Sequence, residues 1–219
     1  MTNSLARPEA PLPVPPSGER PYQKLEWLIG DAIAHHDVAA ILERVRRFAE
    51  DYPPPDRPLL AAQPGLTTVA DPANGARPLK PQHYGNWYHM VLYNAGNACL
   101  RAEEPALALT IYLEALRGCA HASLFNNIAS CHAQLGDPVT ALVWYRKALV
   151  RDRDYLVAHL RIAALIIRAE LPDEDPLAAL EAYGAAGGTP GDVNAYLERL
   201  EPEERAQIGP VFEEFFEWE

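Results

Sequence analysis

Three short clusters in this chain bring together side chains capable of metal ligation or nucleophilic attack: His35-His36-Asp37, Cys119-Ala120-His121 and Cys131-His132. Imidazole nitrogens, thiolates and carboxylates are the common ligands of zinc and the common members of a nucleophile–base pair. None of the three clusters has the spacing of a zinc or catalytic motif, and the sequence contains no phosphate loop, dinucleotide fingerprint or serine elbow. Cys99, Cys131 and His132 fall on helical packing positions, where a small thiol or ring fills a core. No enzymatic activity, metal or cofactor is therefore expected. The three cysteines form no CxxC pair and are odd in number, which argues against a disulfide scaffold and suits a reducing compartment.

The elements that position these residues repeat. Tyr93-Asn94-Ala95-Gly96-Asn97 leads to Glu104-Pro105, Ala108, Tyr112 and Ala115; 33 residues later Asn126-Asn127-Ile128-Ala129-Ser130 leads to Asp137-Pro138, Ala141, Tyr145 and Ala148. A third, degraded copy begins near Leu156, carries Ile162-Ala163 and Ile166, is widened around Leu171-Pro172-Asp173-Glu174, and recovers at Asp175-Pro176, Ala179, Tyr183 and Ala186. Each acid–proline pair predicts a helix start. A carboxylate at the N-cap accepts from an unpaired backbone N–H, and proline at the first helical position sacrifices no hydrogen bond. The small residues predict close helix approach, with Tyr112 and Tyr145 filling the space between units. A mid-thirties period of helical hairpins predicts a solenoid that presents a concave surface to another macromolecule.

The pattern resembles the tetratricopeptide repeat (TPR). Its characteristic positions fall on Leu92, Ala95-Gly96, Cys99, Ala108, Tyr112 and Ala115 in the first unit, and on Phe125, Ile128-Ala129, His132, Ala141, Tyr145 and Ala148 in the second. The resemblance implies an all-α, TPR-like helical-hairpin solenoid over 83–188 whose first helices line an inner, peptide-binding groove. Its groove positions hold Tyr93, Asn94, Asn97 and Arg101, then Asn126, Asn127, Ser130 and Gln134, then Leu160, Arg161, Ala164 and Arg168. Asparagine can donate to a peptide carbonyl and accept from a peptide N–H, which suits an extended peptide backbone; the same amides also suit a structural role within the repeats. In members that clamp the acidic tails of heat-shock chaperones, two asparagines and an arginine match Asn97, Asn127 and Arg161. The two lysine positions of that clamp hold Tyr93 and Val157 here, which removes much of the charge-assisted bonding to a terminal carboxylate.

The flanks divide as follows. Residues 1–21, with six prolines, read as a disordered arm. Residues 22–52 read as a helical hairpin turning at His36-Asp37, either a cap or a degenerate repeat. Residues 53–82, with eight prolines, read as a loop that is either a plain linker or a segment lying along the groove through Leu59-Leu60 or Leu66. Residues 189–219 read as acidic helices that cap the last repeat or expose an aromatic docking stripe of Val211, Phe212, Phe215, Phe216 and Trp218.

Charge is distributed unevenly among these parts. The net charge is −11, yet residues 83–170 carry 8 basic and 7 acidic side chains while residues 171–219 carry 2 and 13. Such acidity disfavours nucleic acid and anionic membrane as partners. Arg146, Lys147, Arg151, Arg153, Arg161 and Arg168 form the basic concentration. They read as a solvated face, or as a surface on which the acidic C-terminal tail docks until a partner displaces it. The first residues lack an apolar stretch of signal-peptide length, and no stretch approaches the roughly 18 apolar residues of a membrane span, so cytoplasmic residence is expected. A protein or peptide partner, bound by an adaptor, scaffold or chaperone-like module, is the functional expectation. The alternative is a structural subunit anchored through its outer surface, proline-rich loop and acidic aromatic tail.

Overall fold

The structure, a computed structural model, describes residues 21–51 and 87–217. Of the arm expected at 1–21 only Pro21 is described, as the first residue of a helix rather than part of an arm; residues 1–20, the proline-rich loop and Trp218 lie outside the described residues. Those described form ten helices: α1 (Pro21–Ala34), α2 (Val38–Asp51), α3 (Trp87–Arg101), α4 (Pro105–Ala115), α5 (Ala122–Gln134), α6 (Pro138–Arg151), α7 (Leu156–Ala169), α8 (Pro176–Ala185), α9 (Pro190–Leu197) and α10 (Pro202–Glu217). Helices pair as α1–α2, α3–α4, α5–α6 and α7–α8, and each pair stacks on the next, with α10 laid across α7, α8 and α9. This succession of hairpins is the TPR-like solenoid that the repeat predicts.

Local chemistry sets most of the boundaries. The carboxylates of Asp37, Asp137 and Asp175 accept from the backbone N–H of Ala40 (2.9 Å), Thr140 (3.0 Å) and Leu177 (2.9 Å). Thr189 and Asp192 form a reciprocal capping box at α9. Glu104 departs from the expectation. Its longer side chain makes no cap and instead sits 3.3 Å from His36 Nε2, joining the first hairpin to the second. The residue before each of the first three N-cap positions, Asp37, Glu104 and Asp137, turns left-handed: His36 (φ 52°), Glu103 (φ 60°) and Gly136 (φ 80°). The hairpin at 21–51 therefore shares the turn geometry of the two clear repeats. The widened third unit ends its first helix differently, with Glu170 left-handed at φ 47° and Arg146 paired to Glu174.

The core runs along the stack. Leu25, Ile29, Ile41 and Phe48 of the first hairpin join Leu92, Ile111, Tyr112, Leu124 and Ile128 in one cluster. At the other end Leu160, Leu180 and Tyr183 pack with Val193, Leu197, Ile208 and Phe212, so of the expected aromatic stripe Phe212 is buried against the last repeat. Phe215 and Phe216 are only half-buried there. Gly96 marks a close approach within the first repeat: a Cβ at that position would lie 2.5 Å from the Tyr112 ring.

Candidate functional site

The inner helices α3, α5 and α7 carry the predicted groove residues, and a repeated set of hydrogen bonds decides where those residues point. Tyr112, at the heart of the first repeat, donates from its hydroxyl to Asn97 Oδ1 at 2.6 Å. Asn127 Nδ2, one repeat further on, donates to the same Oδ1 at 2.8 Å and approaches the Tyr112 hydroxyl at 3.2 Å. The second repeat reproduces this with different residues. Ser130 and Tyr145 share a hydroxyl–hydroxyl bond of 3.1 Å, and Arg161 of the third repeat donates to Ser130 Oγ at 2.7 Å. In the third repeat Ala164 offers no acceptor, so the Tyr183 hydroxyl donates to the Thr189 carbonyl at 3.1 Å, on the cap.

Of the twelve predicted groove positions, Leu160 and Ala164 are buried apolar residues, and these bonds split the ten polar ones into two groups. Tyr93, Asn94, Asn97 and Asn126 are buried; Asn97 is 4% and Asn126 2% exposed. The Tyr93 ring meets His121 edge-on at 4.6 Å. Asn94 donates to the Met90 carbonyl of its own helix at 3.0 Å, and Asn126 donates to Asn127 Oδ1 at 3.2 Å. Asn94 Oδ1, Asn97 Nδ2 and Asn126 Oδ1 have no hydrogen-bond partner among the described residues. Arg101 is turned away to an ion pair with Glu26 of α1. The expectation that all four asparagine amides line an open groove is thus corrected: Asn94 and Asn126 bond within their own helices and Asn97 bonds to the next two, because a buried amide can pair only with what packs around it.

Asn127, Ser130, Gln134, Arg161 and Arg168 do converge, around a cavity of about 370 Å³. Tyr145, Val157 and Leu165 supply its floor. Its far wall comes from the C-terminal helices: Tyr196, Arg199, Leu200 and Glu204. Arg168 meets Glu204 across the opening at 2.6 Å. Sequence reasoning did not place these four residues at the groove. One signal was available, since Arg199 is one of only two basic side chains among the 13 acids of residues 171–219. The basic concentration of the sequence is itself dispersed. Arg146 pairs with Glu174, Lys147 lies over the Trp144 ring at 3.8 Å, and only Arg161 and Arg168 face the cavity.

The three clusters that opened the sequence analysis resolve into structural roles. His121 caps α5, its Nδ1 accepting from Leu124 N–H at 3.1 Å. His132 lies 3.7 Å from the Asp137 carboxylate, and His35 Nδ1 is 2.7 Å from the Asp31 carbonyl. Cys99, Cys119 and Cys131 are free and buried, and burial pushes each thiol up to about 12, which keeps all three in the unreactive protonated form. Among the described residues no group of three or more His, Cys, Asp or Glu is placed to hold a metal. No described helix is long and apolar enough to cross a membrane.

No protein-family model and no curated protein matches the chain. Among solved structures, the chain is similar to YrrB, described as a TPR protein with an unusual peptide-binding site, at 15% identity over 88% of this chain and 84% of that one, with a TM-score of 0.47. It is also similar to a tetratricopeptide repeat protein from Parabacteroides merdae ATCC 43184, at 16% identity over 82% of this chain and 65% of that one, with a TM-score of 0.40. The TPR-like fold of the present chain follows from its own stacked hairpins, capped turns and inter-repeat tyrosines.

Proposed function

We propose that this chain is a protein–protein interaction module, adaptor or chaperone-like in type, which holds a peptide segment of a partner in the C-terminal half of its inner groove. The observation that supports this reading is the convergence of Asn127, Ser130, Gln134, Arg161 and Arg168 on an open cavity with an apolar floor. Donors and acceptors in fixed positions above apolar side chains suit an extended peptide, whose backbone needs both kinds of partner and whose side chains need somewhere dry. Selection of a displayed peptide library on the intact protein tests it. Enriched peptides are expected to lose about tenfold or more in affinity for an Arg161→Gln, Gln134→Ala variant whose melting temperature matches the parent. Unchanged affinity would remove the groove from the reading.

A second reading, a structural subunit docked by its outer surface, is favoured by one observation. Val139 (64% exposed), Val143 and Val150 (88% exposed) follow one face of α6 at helical spacing. A Val143→Glu, Val150→Glu variant tests it, because these residues are outside the core: release from an assembly with an intact groove supports the second reading. Truncation at 208 is unsuitable for that purpose, since Ile208 and Phe212 belong to the core.

A further inference from the structure

We infer that the solvent face of α6 is a docking ridge for an amphipathic helix of a partner protein, one that carries glutamate or aspartate beside its apolar stripe; this rests on the second reading above, docking by the outer surface. α6 buries Ala141, Leu142, Tyr145 and Ala148 and turns Val139, Val143, Arg146, Lys147, Val150 and Arg151 to solvent. Single exposed apolar side chains are ordinary on a protein surface, but these valines follow one face of one helix and form a ridge of about 16 Å, or roughly three turns. Valine is a poorer helix former than alanine, glutamate or lysine, so helix formation alone does not account for it at these positions.

Charge selects the chemistry of the partner. α6 holds three cations and no acid. Arg146 pairs with Glu174 and Lys147 lies over the Trp144 ring, while Arg151 has no ion pair or side-chain hydrogen bond among the described residues. Asp152 and Asp154 follow the helix, yet neither pairs with Arg151; Asp152 accepts from the Asp154 N–H at 3.2 Å. Lys147 stands one turn after Val143, and Arg151 directly follows Val150. An acid flanking the apolar stripe of a helix laid on the valines therefore comes within reach of a cation. The chain's net charge of −11 opposes an acidic partner at long range, but physiological salt screens that field beyond roughly 8 Å, and the cations of the ridge decide the contact. The form of the partner follows from the backbone. The N–H and C=O groups of a helix are already paired, so α6 offers an extended strand nothing to bond, whereas a helix satisfies its own backbone and can lay its side chains between those of α6. A second copy is the poorer match, since its acid-rich α10 spends Ile208 and Phe212 on its own core.

The test measures, by fluorescence anisotropy with the full chain, a fluorescein-labelled helical peptide of alanine, leucine and glutamate, blocked at both ends, with leucines along one face and glutamates flanking them. Its counterpart carries glutamine in place of glutamate. The glutamate peptide is expected to bind about threefold or more tightly than the glutamine peptide, and the difference should shrink as salt is raised. Val143→Ser, Val150→Ser is expected to weaken both peptides about tenfold. Arg151→Gln should weaken the glutamate peptide alone, by about two- to fivefold, and Arg151→Lys should restore it. These side chains lie outside the core, so each variant is expected to keep the melting temperature of the parent. Failure of the glutamate peptide to bind overturns the inference, as does binding that persists in the valine variant but is lost in Arg161→Gln, Gln134→Ala, which places the peptide in the groove. Self-association that the valine variant abolishes makes the occupant a second copy, and preference for phosphatidylserine vesicles over either peptide makes it a membrane; both overturn it. Equal affinity for the two peptides, lost in the valine variant, overturns the acidic partner while sustaining the outer-surface reading, which the release of Val143→Glu, Val150→Glu from an assembly judges separately.

Discussion

The inner face of this solenoid has two halves built on equivalent repeat positions and put to opposite uses. In the N-terminal half Asn97 accepts from Tyr112 and from Asn127, and Tyr93, Asn94 and Asn126 are buried around it. One repeat on, Ser130 takes the place of Asn97, accepts from Arg161, and stands at the edge of a cavity. The contrast teaches that a TPR-like repeat position does not carry a function by itself. A long amide opposite a buried tyrosine closes the face; a short hydroxyl and a long arginine leave room.

The largest expected effect tests whether the open half depends on its far wall. Phe212, fully buried between the cap and the last repeat, anchors that wall. Phe212→Ala should cost about 3–5 kcal/mol in denaturant unfolding and abolish peptide capture together with it. Retained capture in a destabilised Phe212→Ala protein would show that the cavity needs only α5 and α7.

Next comes pH. The folded chain holds the protons of Cys99, Cys119 and Cys131 up to about 12, against an ordinary thiol value of 9.0, so between these values the folded state binds more protons than the unfolded one. The stability due to this is fully present below pH 9 and declines as pH rises toward 12. Burial likewise raises the Tyr112 phenol well above 10.0 and adds to the same alkaline loss. Urea midpoints are expected to fall steadily across that window, and a variant with all three cysteines replaced by alanine should show a shallower decline.

Gly96→Ala probes the packing of the closed half. The added methyl would stand 2.5 Å from the Tyr112 ring, and the clash should cost about 1–3 kcal/mol by thermal or chemical denaturation. The smallest effect gives the sharpest comparison. Tyr112→Phe removes the hydroxyl bonded to Asn97 and should cost about 1 kcal/mol, whereas Tyr145→Phe, whose partner Ser130 keeps its bonds to Arg161 and the Asn126 carbonyl, should cost roughly half as much or less. Equal costs would erase the distinction between the halves.

Much of the fold was legible from local chemistry. Asp137-Pro138 and Asp175-Pro176 start helices because cap and proline act within one turn, and the left-handed turn at Gly136 before Asp137 needs no distant partner. Glu104 was misread because one extra methylene carries its carboxylate beyond its own helix terminus to His36. His121, set aside for want of a zinc or catalytic spacing, was given no role from sequence; it is an N-cap whose ring meets Tyr93 edge-on. The site was half legible. Asn127, Ser130, Gln134, Arg161 and Arg168 lie on the predicted helices and do face one cavity. Asn94, Asn97 and Asn126 share those helices yet are buried, since the choice depends on how each helix is rotated against the next.

The amino-acid sequence alone determined the repeat period, the capped helix starts, the tyrosines between units and the uneven charge, because each of these is set within a few residues or by simple counting. The tertiary structure alone decided which half of the inner face stays open and what completes it. Arg199 and Glu204 reach the cavity only because Val193, Leu197, Ile208 and Phe212 fold the acidic end back onto Leu160 and Tyr183. Apolar burial between residues far apart in the chain places them there, and no spacing rule encodes that contact.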